Sequence, residues 1–381
     1  DGGCDEGPSY WGRAGGSLFE CLELLESASG GRVNLYANPL IKEIGRYIYK
    51  AYIHGSYFVN FSDAPAKVSI QSDLVLRYGQ KIKDPLLAGF GAYAARQQKI
   101  LDKGVGGGLT RQLQFLFSLG ALESQQPTEP LVRDIWLPQN HYLAAREKEN
   151  SAAGFYLAAQ GLHNDKSHNH NDVGNFILYV DGEPLIIDVG PEAYTAKTFS
   201  SARYEIWTMQ SAYHNLPTIN SVMQKNGRQY AARDVQYRAT DDSVLFSLDI
   251  AGTYPADAGV TKWIRQIAMN RLVGSVTVRD DYALNSEAKK LTLALMTPCQ
   301  ILESDPGRIV LRLNRDGTSR SPSDIEVRFD RAKLSASVET IPLKDDGLRR
   351  MWGESLQRIQ LNVKNPGAHG SAAIIFRQVS R

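Results

Sequence analysis

The segment from His163 to Asp188 holds the densest group of side chains that could bind a metal or carry a proton. The candidates in its first part are His163, Asp165, His168, His170 and Asp172. Imidazole exchanges a proton near neutral pH, and imidazole and carboxylate groups both bind borderline divalent metals. Residues two positions apart lie on the same side of an extended segment. One of His168 and His170 could therefore bind a metal while the other faces a substrate groove. A solvated polar loop with ordinary surface histidines is the alternative interpretation.

The sequence after these histidines predicts a β-hairpin. Asp181-Gly182 is typical of a two-residue hairpin turn. The apolar runs on its two sides are Phe176–Val180 and Pro184–Asp188. Pairing of the two runs would return Asp188 to the end of the hairpin at which the chain enters from His170. With His214 as a third ligand, two imidazoles and a carboxylate would suit zinc, and water could complete four-coordination.

A second chemical motif opens the chain. The segment Asp1–Trp11 (DGGCDEGPSYW) is rich in glycine and acidic residues and ends in two aromatic side chains. Taken alone, Tyr10 and Trp11 are typical of aromatic residues that fill a core beside the start of a helix. A tyrosine hydroxyl can also donate a proton to a leaving group, because its ordinary pKa is about 10.

Helices are predicted over about the first 120 residues, where apolar residues recur at three- and four-residue spacing. The stripes are Leu18, Cys21, Leu22 and Leu25; then Ile41, Ile44 and Ile48; and then Leu113, Leu116 and Phe117. Asn38-Pro39 and Asp84-Pro85 are predicted helix starts, since the first residue can cap and proline fits the first turn. Gly120 is predicted to end the last helix.

From about Val132 onward the apolar pattern changes to a period of two, which indicates strands. The runs include Phe176–Val180, Val244–Ile250, Val276–Val278, Leu291–Leu295, Ile309–Leu313 and Ala372–Phe376. Short runs between Gly, Asp, Asn and Pro turns favour an antiparallel sandwich. The polar, proline-containing stretch 123–130 is the predicted boundary. We therefore predict an α+β multidomain chain, with an α-helical domain over 1–125 and an antiparallel β-sandwich over 131–381.

The composition excludes several classes of protein. The 381 residues include 43 Lys plus Arg and 41 Asp plus Glu, which gives a net charge of +2. This balance does not fit a general nucleic-acid binder, and 43% hydrophobic residues argue against a disordered chain. No apolar run approaches the roughly 20 residues that span a bilayer. With three cysteines, we expect isolated buried thiols rather than a Cys4–Cys21 bridge.

Three motifs taken together resemble the heparinase II/III-like polysaccharide lyases. They are DGGCDEGPSYW at the start, SHNHNDVGNFILYVDGEPLIIDVG from Ser167, and RYEIWTMQSAYHN from Arg203. The resemblance runs from Asp1 to about Gly227. Members of this superfamily act on heparan, chondroitin, hyaluronan or alginate and join an incomplete α/α toroid to a large antiparallel β-sandwich. The resemblance therefore implies a partial α/α toroid at the N-terminus, and the short helical part implies an upstream helical portion of the same protein.

The resemblance also implies a role for individual residues. The catalytic pair is Tyr10 and His168; the metal ligands, usually for zinc, are His170, Asp188 and His214; the substrate-binding residues are Glu6 and Arg203. The implied reaction is β-elimination at a uronic acid of an acidic polysaccharide, with a structural metal and a periplasmic or secreted location. Two alternatives stay open: a metal-dependent glycan hydrolase, and a non-catalytic carbohydrate-binding β-sandwich.

Overall fold

The computed structural model describes residues 1–103, 108–313 and 324–379, and the chain divides into two compact units. The first unit comprises Asp1–Val59 and Ala64–Val132, and the second comprises Asn60–Asp63 and Arg133–Arg381. The short segment Asn60–Asp63 therefore belongs to the second unit although both of its flanks belong to the first. The predicted domains 1–125 and 131–381 did not anticipate this insertion.

The first unit is helical, with one short hairpin. Its helices are α1 (Pro8–Trp11), α2 (Gly15–Ala28), α3 (Pro39–Lys50), α4 (Ser72–Ile82), α5 (Pro85–Gln97), α6 (Ile100–Lys103) and α7 (Leu109–Ser124), and its strands are β1 (Tyr52–His54) and β2 (Tyr57–Phe58). Two predicted helix starts are confirmed. The Asn38 side chain accepts from the Leu40 N–H at 2.9 Å, and the Asp84 side chain accepts from the Leu87 N–H at 3.0 Å.

In two of these helices the apolar stripe is not the face that is buried. The residues that α2 buries are Gly15, Gly16, Phe19 and Leu22, and those that α7 buries are Phe115, Ser118 and Leu122. Leu25 is instead 49% exposed and Phe117 is 80% exposed. Helix α7 also continues through Gly120 to Ser124. Both helices carry apolar residues on more than one face, so their spacing identifies a helix, while packing decides which face is buried.

The regular secondary structure of the second unit is mainly β-strand, with short 3-10 helices between residues 196 and 258. The strands are β3 (Asp134–Leu137), β4 (Tyr142–Arg146), β5 (Phe155–Gln160), β6 (His163–Asn164), β7 (Phe176–Val180), β8 (Glu183–Ile186), β9 (Pro217–Ile219), β10 (Gly227–Ala231), β11 (Arg233–Ala239), β12 (Ser243–Asp249), β13 (Val260–Asn270), β14 (Ser275–Leu284), β15 (Leu291–Thr297), β16 (Gln300–Asp305), β17 (Arg308–Arg312), β18 (Asp324–Phe329), β19 (Leu334–Pro342), β20 (Ser355–Val363) and β21 (His369–Gln378). Helix α8 (Asp346–Trp352) lies between β19 and β20.

Three antiparallel sheets enclose one apolar core. The orders are β11-β12-β13-β14-β21-β18-β17-β16, β3-β4-β5-β7-β8 and β19-β20-β15-β9, and β6 pairs with β10. The core draws Phe246 and Phe376 from the eight-stranded sheet, Leu157 and Leu178 from the five-stranded sheet, and Leu361 from the four-stranded sheet. The predicted fold class, helices followed by a large antiparallel β-sandwich, is thereby confirmed.

The predicted hairpin is β7–β8, in which Val180 pairs with Glu183. Asp181 (φ 53°) and Gly182 (φ 84°) both adopt left-handed backbone, as a type I′ turn requires. The three cysteines are free thiols, although only Cys299 is buried. Within the described ranges, no helix combines the length and apolar character needed to cross a bilayer.

Candidate functional site

Four buried side chains converge at the ends of strands in the second unit. His170, Asp172, Asp188 and His214 are all 0% exposed, and one ligand atom from each lies within 4.8 Å of the others. The His214 Nε2 atom is 3.3 Å from His170 Nδ1 and 3.5 Å from Asp188 Oδ2. The structure thus brings together the three ligands that the sequence suggested and adds Asp172, which lies two residues after His170.

The charges of this four-residue group suit a divalent cation. Asp172 and Asp188 place two carboxylates in the interior, where burial raises the pKa of Asp188 despite the nearby imidazoles. The Oδ1 atom of Asp172 is buried with no described hydrogen-bond partner, and the closest ammonium, on Lys166, is 3.9 Å away. Buried carboxylates need a compensating charge, so these two imidazoles and two carboxylates could hold a metal ion.

Neighbouring hydrogen bonds orient both imidazoles so that each could act as a ligand. A carbonyl can only accept, so the Nδ1 of His214 carries the proton that it donates to Gln210 O at 2.9 Å. Its Nε2 lone pair then faces the group. The Nε2 of His170 lies 3.0 Å from Asp63 Oδ1, and a proton on Nε2 leaves the Nδ1 lone pair of His170 for a metal.

Two asparagines hold the loops that carry Asp188 and His214. Asn175 Nδ2 donates to Asp188 Oδ2 at 2.9 Å. Asn215, next to His214, donates from Nδ2 to Ile187 O at 3.0 Å and accepts from the Met296 N–H at 2.7 Å. These amides tie the end of β8 to the segment that contains His214.

Asp63 connects the four-residue group to His168. Its side chain is wholly buried, and its Oδ2 lies 2.8 Å from His168 Nδ1 and accepts from the Tyr194 hydroxyl at 2.8 Å. Its Oδ1 lies 3.0 Å from His170 Nε2 and accepts from Arg203 Nη2 at 2.8 Å. Burial opposes ionisation, but the hydrogen bonds with His170 and Arg203 hold the pKa of Asp63 well below its usual range.

His168 differs from the buried histidines because its side chain is 24% exposed. Its backbone is left-handed (φ 54°), and its ring stacks on Tyr194 with centroids 6.0 Å apart. The ionised Asp63 favours a proton on Nδ1, so the neutral ring carries its basic lone pair on Nε2. This is the arrangement that a carboxylate gives to a histidine that exchanges protons with a substrate.

Arg203 directs its guanidinium to the protein. Besides Asp63, it donates from Nε to Asn169 O at 3.0 Å and from Nη1 to Thr198 O at 3.2 Å. The side chain is only 11% exposed. This geometry holds Asp63 and the backbone beside His168 in place.

Tyr10 and Glu6 lie in the first unit, where the glycine-rich opening leads into α1. The indole of Trp11 donates to Ile44 O at 2.6 Å and anchors the motif. Gly2 has a φ of 75°, and a Cβ there would lie 2.3 Å from the Glu43 carbonyl carbon, so a larger residue would clash with α3. Tyr10 is half-buried within α1.

Asp63 and Tyr194 were not identified from the sequence as part of the site, and Asp172 was a candidate there without being assigned as a ligand. Asp172 follows the alternation of His168 and His170, so its spacing carried a usable signal. Asp63 and Tyr194 had no such signal, since Asp63 is separated from His168 by 105 positions and residues 55–72 contain no other His, Cys, Asp or Glu. Long-range pairing of this kind is set by the fold.

A family model described as "Heparinase II/III-like, C-terminal" matches residues 130–350, which is more than half of the chain. A comparison with curated proteins gives no match.

Solved structures with a similar fold include two lyases. The heparan sulfate lyase HepC from Pedobacter heparinus has a TM-score of 0.70 at 11% identity, with 100% of this chain and 53% of that chain covered. Heparinase III has a TM-score of 0.70 at 16% identity, with 100% of this chain and 55% of that chain covered. At these identities the likeness shows the fold alone, and this chain spans about half the length of either structure.

Proposed function

The chain belongs to the heparinase II/III-like family, and from this premise we propose that it is a polysaccharide lyase. The proposed substrate is a uronic-acid-containing polysaccharide of the glycosaminoglycan or alginate type, cleaved by β-elimination. One observation supports this most directly: the buried Asp63 carboxylate holds the partly exposed ring of His168 at 2.8 Å. A histidine oriented in this way is ready to exchange a proton with a sugar.

The proposed reaction moves two protons. A base takes the proton from carbon 5 of the uronic acid, the electron pair forms the double bond between carbons 4 and 5, and the oxygen on carbon 4 leaves with a proton from an acid. His168 and Tyr10 are the proposed pair. The epimer of the uronic acid determines which of them is the base, because the carbon 5 proton lies on opposite ring faces in the two epimers.

The proposed metal is zinc, held by His170, Asp188 and His214, with Asp172 added from the geometry. When bound, the ion would offset the charge of the two buried carboxylates and fix the loops around His168. A catalytic zinc keeps one position open to substrate. All four donors are 0% exposed, which favours a structural ion and argues against a hydrolase in which the metal activates water.

The remaining assignments also belong to this proposal. Arg203 shapes the substrate site by bracing Asp63, and Glu6 contributes from the segment before Tyr10. A location in the periplasm or outside the cell fits a substrate of this class. An upstream helical portion of the same protein is proposed as a partner of the helical unit.

The test is near-ultraviolet absorbance on heparan, chondroitin, hyaluronan and alginate, since elimination creates a conjugated double bond. We expect the absorbance to rise with at least one substrate. The rate of this rise should be at least about 100-fold lower in His168→Ala and in Tyr10→Phe. His163→Ala is the matched control, because His163 lies in the same segment but outside the site.

Other results would choose between the alternatives. New reducing ends without absorbance, stopped at once by a chelator, would identify a hydrolase. Retention of polysaccharide without new ends would identify a binding module. Normal turnover in both His168→Ala and Tyr10→Phe would overturn the mechanism.

A further inference from the structure

A groove on the outer face of the eight-stranded sheet lies apart from the residues of the His168 site. It has a volume of about 510 Å³, and four of its lining residues are cationic: Arg279, Arg328, Arg331 and Lys333. We propose that this basic groove is a second binding site, which holds the acidic polysaccharide chain without cleaving it. The class of polymer rests on the proposed function, but the groove does not depend on the catalytic residues.

The strand register forms the floor of the basic groove. Arg279 on β14 pairs with Ala373 on β21, and Arg328 on β18 pairs with Ile375 on β21. Residues that pair directly, or that lie two apart on a strand, share one face of a sheet. The two arginines therefore stand on either side of β21, whose small outward side chain at Ala373 leaves a depression between them.

Two turns form the wall of the basic groove. Pro306-Gly307, between β16 and β17, and residues 330–333, between β18 and β19, both border the depression. The second turn is held by Asp330, whose carboxylate accepts from the Ala332 N–H at 2.8 Å. Arg331 and Lys333 are exposed on this turn.

The charges of the basic groove favour an anionic ligand. Among its lining residues, Asp330 is the one carboxylate beside four cations. In the described part of the chain, Arg331 and Lys333 take part in no ion pair, and Lys333 Nζ donates to Ser371 Oγ at 3.3 Å. These two side chains can therefore bind carboxylate or sulfate without breaking an ion pair within the protein.

The two arginines on the strands are already oriented. Arg279 donates from Nε and Nη2 to Asp281, both at 2.8 Å, and Arg328 donates from Nε to Glu326 at 2.5 Å. A guanidinium has five N–H groups, so each arginine keeps donors beyond those used in its ion pair. An ion pair that holds the side chain in place lowers the conformational entropy lost when a ligand binds.

A long acidic chain fits this surface better than a small anion does. The basic groove is open to solvent, and its cations stand on two strands and a turn. Repeated weak contacts to successive charged sugars would add up along one polymer. Binding here would hold a long chain near the enzyme, whereas a short oligosaccharide would gain little.

The experiment measures binding in the His168→Ala background, so that the polymer is not degraded. The probe is heparan sulfate, and the dissociation constant is measured at low ionic strength with Arg331→Ser/Lys333→Ser added to that background. We expect binding to weaken about tenfold, with the difference disappearing at high salt. The matched control is Arg238→Ser/Lys262→Ser, which removes two exposed charges from the same sheet outside the basic groove.

The outcomes separate this inference from the proposed function. Binding that weakens equally in the groove and control variants would overturn the proposed binding site. So would a lack of binding by the His168→Ala background. Weakening confined to the groove variant supports it, even if no substrate ever yields near-ultraviolet absorbance. With an intact His168, the groove variant should show an increased KM on long chains but not on tetrasaccharides. Retention of single-stranded DNA but not of heparan sulfate would assign the groove to another polyanion.

Discussion

Asp63 is the residue on which the geometry of the candidate site converges. It accepts hydrogen bonds from Arg203 and Tyr194 and lies within 3.0 Å of a nitrogen of both His168 and His170. One carboxylate therefore sets the tautomer of the proposed proton carrier and of a proposed metal ligand. A change at this position should disturb both while leaving the apolar core intact.

We expect Asp63→Asn to lower kcat about 10- to 100-fold with little change in KM, because the amide cannot accept from all four partners. Asp165→Asn is the matched control, since Asp165 is an exposed acid in the same segment as His168. Initial rates from near-ultraviolet absorbance and zinc content per chain would be measured together, with circular dichroism to verify folding. An unchanged kcat in a folded Asp63→Asn would remove Asp63 from the positioning role.

The sequence could indicate part of this site because some of its geometry is local. The turn at Asp181-Gly182 brings Asp188 back toward His170, and turn chemistry can be identified from adjacent residues. No local pattern connects Asp63 with the histidines, because the chain passes through several helices between them. The sequence therefore suggested the proposed metal ligands, while the residue that orients His168 could be identified only from the fold.

At the scale of the elements, the sequence predicted which elements form better than it predicted which of their faces are buried. Caps and turns are decided by neighbouring residues, so the starts at Asn38 and Asp84 and the β7–β8 hairpin were predicted. The buried faces of α2 and α7 were not, since both helices carry leucines on several sides. Only tertiary packing distinguishes Leu22, which is buried, from Leu25, which is exposed.

Glu129 joins two elements of the helical unit. Its carboxylate accepts from the Tyr52 hydroxyl at 2.6 Å and lies 2.7 Å from His54 Nδ1, so it links the β1 strand to the segment after α7. Burial opposes ionisation, but the hydrogen bonds with His54 and Tyr52 lower the pKa of Glu129 from 4.5 to about 2. Folding therefore favours the ionised carboxylate.

This pKa shift predicts a stability that depends on pH. Because the folded pKa lies below the unfolded one, the contribution is complete above about pH 4.5 and is lost as the pH falls toward 2. We expect Glu129→Gln to lower the free energy of unfolding at pH 7 by about 1 to 2 kcal/mol, because the His54 partner is partly exposed and solvent screens the pair. The difference from the parent chain should shrink below pH 4.5.

Urea unfolding across this pH range, with hydrogen exchange of β1 and β2, would measure the Glu129 effect. Glu123→Gln is the control, because Glu123 is exposed near the end of α7. A Glu129→Gln difference that stays constant from pH 7 to pH 2.5 would show that the carboxylate acts through shape rather than through charge.

At the scale of the whole molecule, the two units are interleaved in sequence. The segment Asn60–Asp63 belongs to the sandwich unit although the chain around it belongs to the helical unit. It carries Asp63, and its Asn60 side chain donates to Asp188 O at 3.0 Å. The predicted domain 131–381 thus contains all four proposed metal ligands but lacks two residues that orient them.

We therefore expect a fragment of residues 131–381 to keep its β-sheet content but to bind zinc about 10- to 100-fold more weakly than the full chain. The fragment lacks hydrogen-bond partners of His170 and Asp188, whereas the apolar core between the sheets remains complete. Competition with a chromogenic chelator would measure the zinc affinity of the fragment. Its Tm with and without zinc would measure the effect of the ion on stability.

The full chain with Asp63→Ala is the comparison that assigns the cause of the fragment's loss. If Asn60–Asp63 supplies the missing hydrogen bonds, this variant should reproduce most of the loss in zinc affinity while retaining the helical unit. A fragment that binds zinc as tightly as the full chain would show that the ligands are held by the sandwich alone. The inserted segment would then serve only His168, and the loss of kcat in Asp63→Asn would have to occur without any loss of zinc.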